Sequence, residues 1–278
     1  MNANESLEKT EWRDKIRASI DVSKVAQRNW DLTRSISDED LNTLIYAASN
    51  SPTKQMETHY ALHVLTHPAK VREIYDHTKK FTLFPNDATD FSQVESDMFS
   101  EGSEGEFVQN DDYSVKNSQI LSNAMFVYCE DMGVPRGGTH YMAQKEGASP
   151  HVKSLYEEQV DFSIGISVGQ LLLSAAMIGY KTGICSALES QEIGEHLPRD
   201  KDGLVYNPKL VIGIGYENIG VDRTFHQETY NRDIPHENRR SGPLDEKFRF
   251  PKFEGKLTDG KNSRVYINGV LQLSLIHI

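Results

Sequence analysis

Ser154–Tyr180 reads SLYEEQVDFSIGISVGQLLLSAAMIGY, and the class of the fold turns on it. Its apolar residues go almost all round a helical wheel, so the spacing predicts a central buried helix rather than an amphipathic surface one. The longest apolar run, Ile164–Gly179, spans 16 residues and contains Gly, Ser and Gln. A bilayer span needs about 20 apolar residues, so a buried helix is the better reading. Gly165 and Gly169 lie one turn apart on one face, with Ala176 two turns further on. Small residues at that spacing let a second backbone approach closely, which suits helix packing across a dimer interface.

Strands flank this helix. Lys209–Gly215, KLVIGIG, reads as a buried strand, and Ile120–Cys129 contains AMFVYC, another. Tyr60–Leu65 alternates Tyr60, Leu62 and Val64 as a third. Further towards the N-terminus, Ser37 is an N-cap followed by Asp38, Glu39 and Asp40 in the first turn. Leu41, Leu44, Ile45 and Ala48 then form one helical face. Leu7–Val25 and Pro68–His77 are two more predicted helices. Strands are few, helices are long and the two do not alternate strictly, so the class is α+β. Residues 1–272 read as one domain. Within it, 86–112 holds nine Asp or Glu and no Lys or Arg, a solvated acidic loop; 132–150 is a loop or lid; 241–272 is an extended arm. The last six residues, LSLIHI (273–278), read as a cloning scar and are set aside.

Composition excludes some partners. The net charge is −11 over 278 residues, and no cluster of Lys and Arg stands out. That speaks against nucleic acid and against a membrane surface. The pairs Lys79-Lys80 and Arg239-Arg240 fit solvated surface or a small-anion site. Two distant cysteines, Cys129 and Cys185, and the charged start MNANESLEKTEWRDKIR favour a cytoplasmic protein.

The usual catalytic signatures are weak. His59, His63 and His67 recur every four residues, as metal ligands do on a helix. The stretch alternates like a strand and Pro68 follows at once, so solvent-facing histidines are expected and a metal hydrolase is the lesser alternative. GIGYENIG (Gly213–Gly220) carries GxG without the third glycine of a dinucleotide turn, and reads as the end of a strand. There is no GxSxG, and Cys185 in KTGICSAL reads as a small buried residue rather than a reactive thiol.

What remains is an ordered set of polar signals at element boundaries: QRNWD, SPTKQMETHY, KNSQILSNA, the long helix running into KTGICSAL, KLVIGIGY and NRRSGPL. In that order and spacing, the chain resembles the FMN-dependent nitroreductase family over roughly residues 20–245. The resemblance implies an α/β/α sandwich with a central, mostly antiparallel sheet and a long buried helix, in a domain-swapped homodimer. It places one FMN at each end of the interface, touched by both chains. Arg28 would pair with the FMN phosphate, Asn29 would donate to the same group, and Gln27 holds the first, usually basic, position of that motif. Pro52, Thr53, Lys54 and Met56 would come from the other subunit. Asn117 would bond the pyrimidine edge. Cys185, Ser186 and Ala187 match the loop whose backbone N–H groups approach flavin N5, and Arg239 or Arg240 matches a late phosphate ligand. NADH or NADPH would give hydride to the flavin, and a small acceptor such as a nitro compound or quinone would then take the electrons in ping-pong fashion. No acid–base side chain is needed, because the cofactor carries the chemistry.

Two departures point to a second reading, a flavin-binding relative without catalysis. Asp31 stands where a basic residue near flavin O2 is usual, and Met56 where an Asn is usual. Lys54 or Lys116 could supply the missing positive charge.

Overall fold

The computed structural model describes residues 3–24, 26–53, 59–79, 81–82, 114–130, 142–143, 146–200, 203–220, 264–267 and 270–273. In chain order the elements are α1 (Ala3–Ser23), α2 (Asp38–Ser49), β1 (Tyr60–Leu65), α3 (Pro68–Asp76), β2 (Phe81–Thr82) and β3 (Ser114–Val115). A 3₁₀ turn (Ser118–Ile120), β4 (Ala124–Glu130), α4 (Pro150–Met177), β5 (Lys181–Cys185), α5 (Ser190–His196), β6 (Asn207–Gly215), β7 (Arg264–Ile267) and β8 (Val270–Leu273) follow.

The main sheet has the order β5-β6-β4-β1-β7-β8. Every neighbouring pair is antiparallel except β1 and β7, which run parallel. Alternation along the strands divides the core. Tyr60, Leu62, Val64, Ala124, Phe126, Tyr128, Ile212 and Ile214 pack with α2 and α4. Ala61, Leu65, Met125, Val127, Cys129 and Val211 pack with α3 and α5 on the other face. The expected α/β/α sandwich with a mostly antiparallel sheet is therefore present.

Local chemistry sets the helix ends. Ser37 Oγ accepts from the Asp40 N–H at 3.1 Å, and Ser149 Oγ from the Val152 N–H at 3.3 Å, with Pro150 pre-set for the first turn of α4. Gly179 follows α4 at φ +96°, the left-handed conformation that closes a helix. The end of α2 is tied inward by hydroxyls. Tyr128 Oη lies 2.9 Å from Ser167 Oγ, and Ser167 Oγ donates to the Ala48 carbonyl at 2.6 Å. Tyr60 Oη donates to the same carbonyl at 2.6 Å and lies 3.1 Å from Ser51 Oγ. Burial pushes the Tyr128 phenol well above its ordinary range, so it stays protonated.

Several expectations need correction. α4 is long and apolar enough to cross a bilayer, and it is buried on one side only, through Tyr156, Val160, Ile164, Val168, Leu171 and Ala175. The other side exposes Phe162 (68%) and Ile166 (47%), with open space over Gly165 and Gly169. KTGIC, for which no strand was expected, is the edge strand β5, because its polar groups find partners on β6 and on the segments beside it. The short α5 carries no strong periodic signal and was not anticipated. The arm forms β7 on its own chain's β1, and Leu273, first of the residues set aside, pairs with Val265 in β8. The 86–112 loop lies outside the described residues, as does most of 132–150.

Candidate functional site

One corner of the sheet gathers three of the expected segments. The chain from 26 to 31 runs along the open edge of β5: the Gln27 N–H donates to the Thr182 carbonyl at 2.8 Å. Ser118 Oγ donates to the Arg28 carbonyl at 3.0 Å, and the buried Trp30 donates its indole N–H to the Ser118 carbonyl at 2.9 Å. Beyond Trp30, Asn123 acts as a pin. Its amide donates to the carbonyls of Asp31 and Arg34 at 2.9 and 2.8 Å, and its oxygen accepts from the Tyr216 N–H at 3.0 Å. Gly215 makes room for it: a Cβ there would stand 1.9 Å from Asn123 Oδ1.

Gln27 is buried, and its side chain donates to the Asn29 carbonyl. Arg28 is half-buried. Asn29 is fully buried, and neither polar atom of its carboxamide has a partner among the described residues. An unsatisfied buried amide costs about 1–3 kcal/mol.

Asn117 and Gln119 hold the carbonyl and the N–H of Ile184 along the open edge of β5. Asn117 Nδ2 donates to the Ile184 carbonyl at 3.2 Å, and Gln119 Oε1 accepts from the Ile184 N–H at 3.0 Å. Asn117 Oδ1 also accepts from the Gln119 N–H at 3.1 Å. Asn117 keeps one lone pair over. Past Ile184, the loop is tied again: Lys79 N–H donates to the Ala187 carbonyl at 2.8 Å and Glu189 N–H to the His77 carbonyl at 3.0 Å. Between these anchors Ser186 and Ala187 are exposed, and neither N–H donates to a backbone carbonyl among the described residues. Cys185 beside them is buried, and burial pushes its thiol up, against hydrogen bonds from Ala187 and Asn117 that lower it. It is a neutral packing residue, as expected.

Pro52 and Thr53 follow α2; among the described residues no hydrogen bond links them to this corner. Lys54, Met56, Arg239 and Arg240 lie outside the described residues. Asp31 turns its carboxylate to the Thr33 N–H and hydroxyl, at 3.1 and 2.6 Å. Lys116 donates to the Asp76 carbonyl at the end of α3, a favourable place for a cation, and so does not replace the charge missing at position 31.

The histidines are corrected. His59 and His63 are buried, because β1 is an interior strand covered on both faces. His59 Nδ1 lies 3.3 Å from Ser163 Oγ, and the His63 ring packs edge-on against Tyr206. Only His67, the N-cap of α3, faces solvent as expected. Among the described residues, no group of three His, Cys, Asp or Glu side chains converges to hold a metal.

Asn123 escaped the sequence reading although it stands in KNSQILSNA, and Gln119 was read there only as part of a polar segment before a strand, without a role of its own. The available signal was the glycines of KTGIC and IGIG, which mark where another backbone must lie close.

The sequence pattern of the nitroreductase family matches residues 23–216. No curated protein matches the chain. Among solved structures it is similar to an NADPH:FMN oxidoreductase from Vibrio harveyi complexed with NAD+ (14% identity, 73% of this chain and 69% of that one, TM-score 0.46). It is also similar to nitroreductase A from Vibrio parahaemolyticus (14%, 73% and 68%, 0.45) and to a nitroreductase family protein from Clostridium novyi (14%, 73% and 86%, 0.41). The family match takes in the opening segment, the Asn117–Asn123 turn, α4 and the β5–β6 edge, and on it the chain belongs to the nitroreductase family.

Proposed function

We propose that this protein is an FMN-dependent NAD(P)H oxidoreductase that works as a homodimer on a small organic acceptor such as a nitro compound or quinone. The observation that carries the reading is the Ser186–Ala187 loop. It offers two adjacent, exposed backbone N–H groups that donate to no backbone carbonyl among the described residues, on a segment anchored at both ends. Fixed donors of this kind suit a heteroaromatic ligand with acceptor atoms along one edge, and need no reorganisation to meet it.

The chain's own residues fit such a cofactor. Arg28 would hold the phosphate, for which a guanidinium fork is well suited. The unpartnered Asn29 carboxamide would gain its hydrogen bonds there. Asn117 would meet the pyrimidine edge with its remaining lone pair. Thr53 and Lys54 would come from the partner subunit, which accords with the absence of hydrogen bonds from Thr53 to this corner. Bound FMN would supply two-electron transfer between nicotinamide and acceptor.

The second subunit is supported by apolar surface left open on one chain. Trp12 (51%), Ile16 (40%) and Ile20 (50%) line α1, and Phe162 and Ile166 line α4 beside Gly165 and Gly169. The arm that forms β7 is the element that would exchange between subunits, and a reducing cytoplasm is the setting proposed. Purified protein should be yellow, release FMN on denaturation and bleach under anaerobic NADH or NADPH. Protein that is yellow but not bleached would favour a flavin-binding role without catalysis, in keeping with the acidic Asp31 at a usually basic position.

A further inference from the structure

We propose that Gln119 is a positioning residue of the flavin site, holding the Ser186 and Ala187 N–H groups in place through the Ile184 peptide without touching the cofactor; the inference rests on the flavin reading above. β5 is the edge strand of the sheet, so among the described residues Ile184 has no further strand to pair with on that side. Gln119 Oε1 and Asn117 Nδ2 supply what a strand would, an acceptor for the Ile184 N–H and a donor for its carbonyl.

Gln119 is itself fixed. It is 8% exposed, its N–H donates to Asn117 Oδ1, and its backbone lies on Gly183 and Gly213. A Cβ on Gly183 would stand 2.4 Å from the Gln119 carbonyl oxygen and 2.7 Å from its Cβ. A rigid lever therefore joins the sheet to the peptide two residues before Ser186. The Lys79–Ala187 bond at 2.8 Å anchors the far side, so releasing Gln119 frees only the near half of the loop.

The consequence for a bound flavin has a sign. A ring nitrogen that accepts a hydrogen bond when oxidised carries a proton when reduced, so a well-placed N–H donor favours the oxidised form. Loosening the loop should weaken oxidised FMN more than reduced FMN and raise the midpoint potential. Gln119→Met keeps the side chain's length and removes the acceptor, whereas Gln119→Glu keeps an acceptor.

The test has two parts. In wild-type apoprotein, amide exchange should show Ile184 protected like the interior strands, with Ser186 and Ala187 exchanging fast and slowing when FMN is added. Gln119→Met should bind oxidised FMN about tenfold more weakly, with a potential raised by about 30 mV for a tenfold differential in a two-electron couple. Gln119→Glu should recover most of both. Equal losses of oxidised and reduced FMN, with an unmoved potential, would mean a merely structural role and overturn the proposal. So would a fast-exchanging Ile184 in the wild type, even if Gln119→Met fails to fold. A wild type that takes up no FMN would instead overturn the flavin reading, and this role with it.

Discussion

Gly183 and Gly213 stand opposite each other across β5 and β6, and the Gln119 carbonyl rests on both. The pair makes a flat place on the sheet, and the turn that carries Asn117, Gln119 and Asn123 lies down on it. A Cβ on Gly213 would stand 2.2 Å from the Gln119 carbonyl oxygen and 2.9 Å from Ile120 Cα. Both are backbone atoms and cannot swing aside. Gly213→Ala should therefore destabilise the fold by about 2–3 kcal/mol, read as a lower urea midpoint. An unchanged midpoint would show that the turn is free to move.

His63 makes the fold sensitive to acid. Burial pushes its pKa down to about 3, against an ordinary value of 6.5. The unfolded chain takes a proton near pH 6.5 that the folded chain refuses until near pH 3. This contribution to stability is complete above 6.5, falls as pH drops through that window, and stops changing below 3. Between pH 7.5 and 5 the loss should be about 2 kcal/mol. Urea unfolding at the two pH values should show a smaller difference in His63→Leu than in the wild type, and equal differences would sink the idea.

The open side of α4 predicts its own disruption. Phe162→Glu with Ile166→Glu places two charges on that face and touches no buried residue of the chain. Sedimentation should show a dimer for the wild type and a monomer for the double variant, with far-UV circular dichroism unchanged. A dimeric variant would place the interface elsewhere.

Arg28→Ala should cut FMN affinity by about 10- to 100-fold, the range for losing a hydrogen bond to a charged group. Equilibrium dialysis at low free FMN reads this directly. Unchanged occupancy would mean that the opening segment had been aligned out of place.

Much of the layering was legible in the sequence because burial alternates along strands and recurs along helices. Ser37 capped α2 as expected, the Leu41, Leu44, Ile45 and Ala48 face is buried as expected, and KLVIGIG lies in β6. The misreadings share one cause, that long-range neighbours are invisible in a local pattern. KTGIC has too little apolar periodicity to announce a strand, and its pairing comes from β6, Gln27, Asn117 and Gln119. His59 and His63 look like surface until β4 and β7 close in on both edges of β1 and helices on its faces. For the site, the Gln27–Asn29, Asn117 and Ser186–Ala187 segments do meet at one corner. That Asn117 grips a peptide, and that Asp31 folds back on Thr33, depend on geometry that composition does not encode.

Helix α2 ends where it does for a reason of valence. One more turn would have the Ala48 carbonyl accept the N–H of residue 52, but that residue is a proline and has none to give. Tyr60 and Ser167 hydroxyls occupy both lone pairs instead. The stop is thus written from two sides, by a missing donor in the chain and by two donors from the core. The end of α2 is held from the protein's interior, by Tyr60 and Ser167.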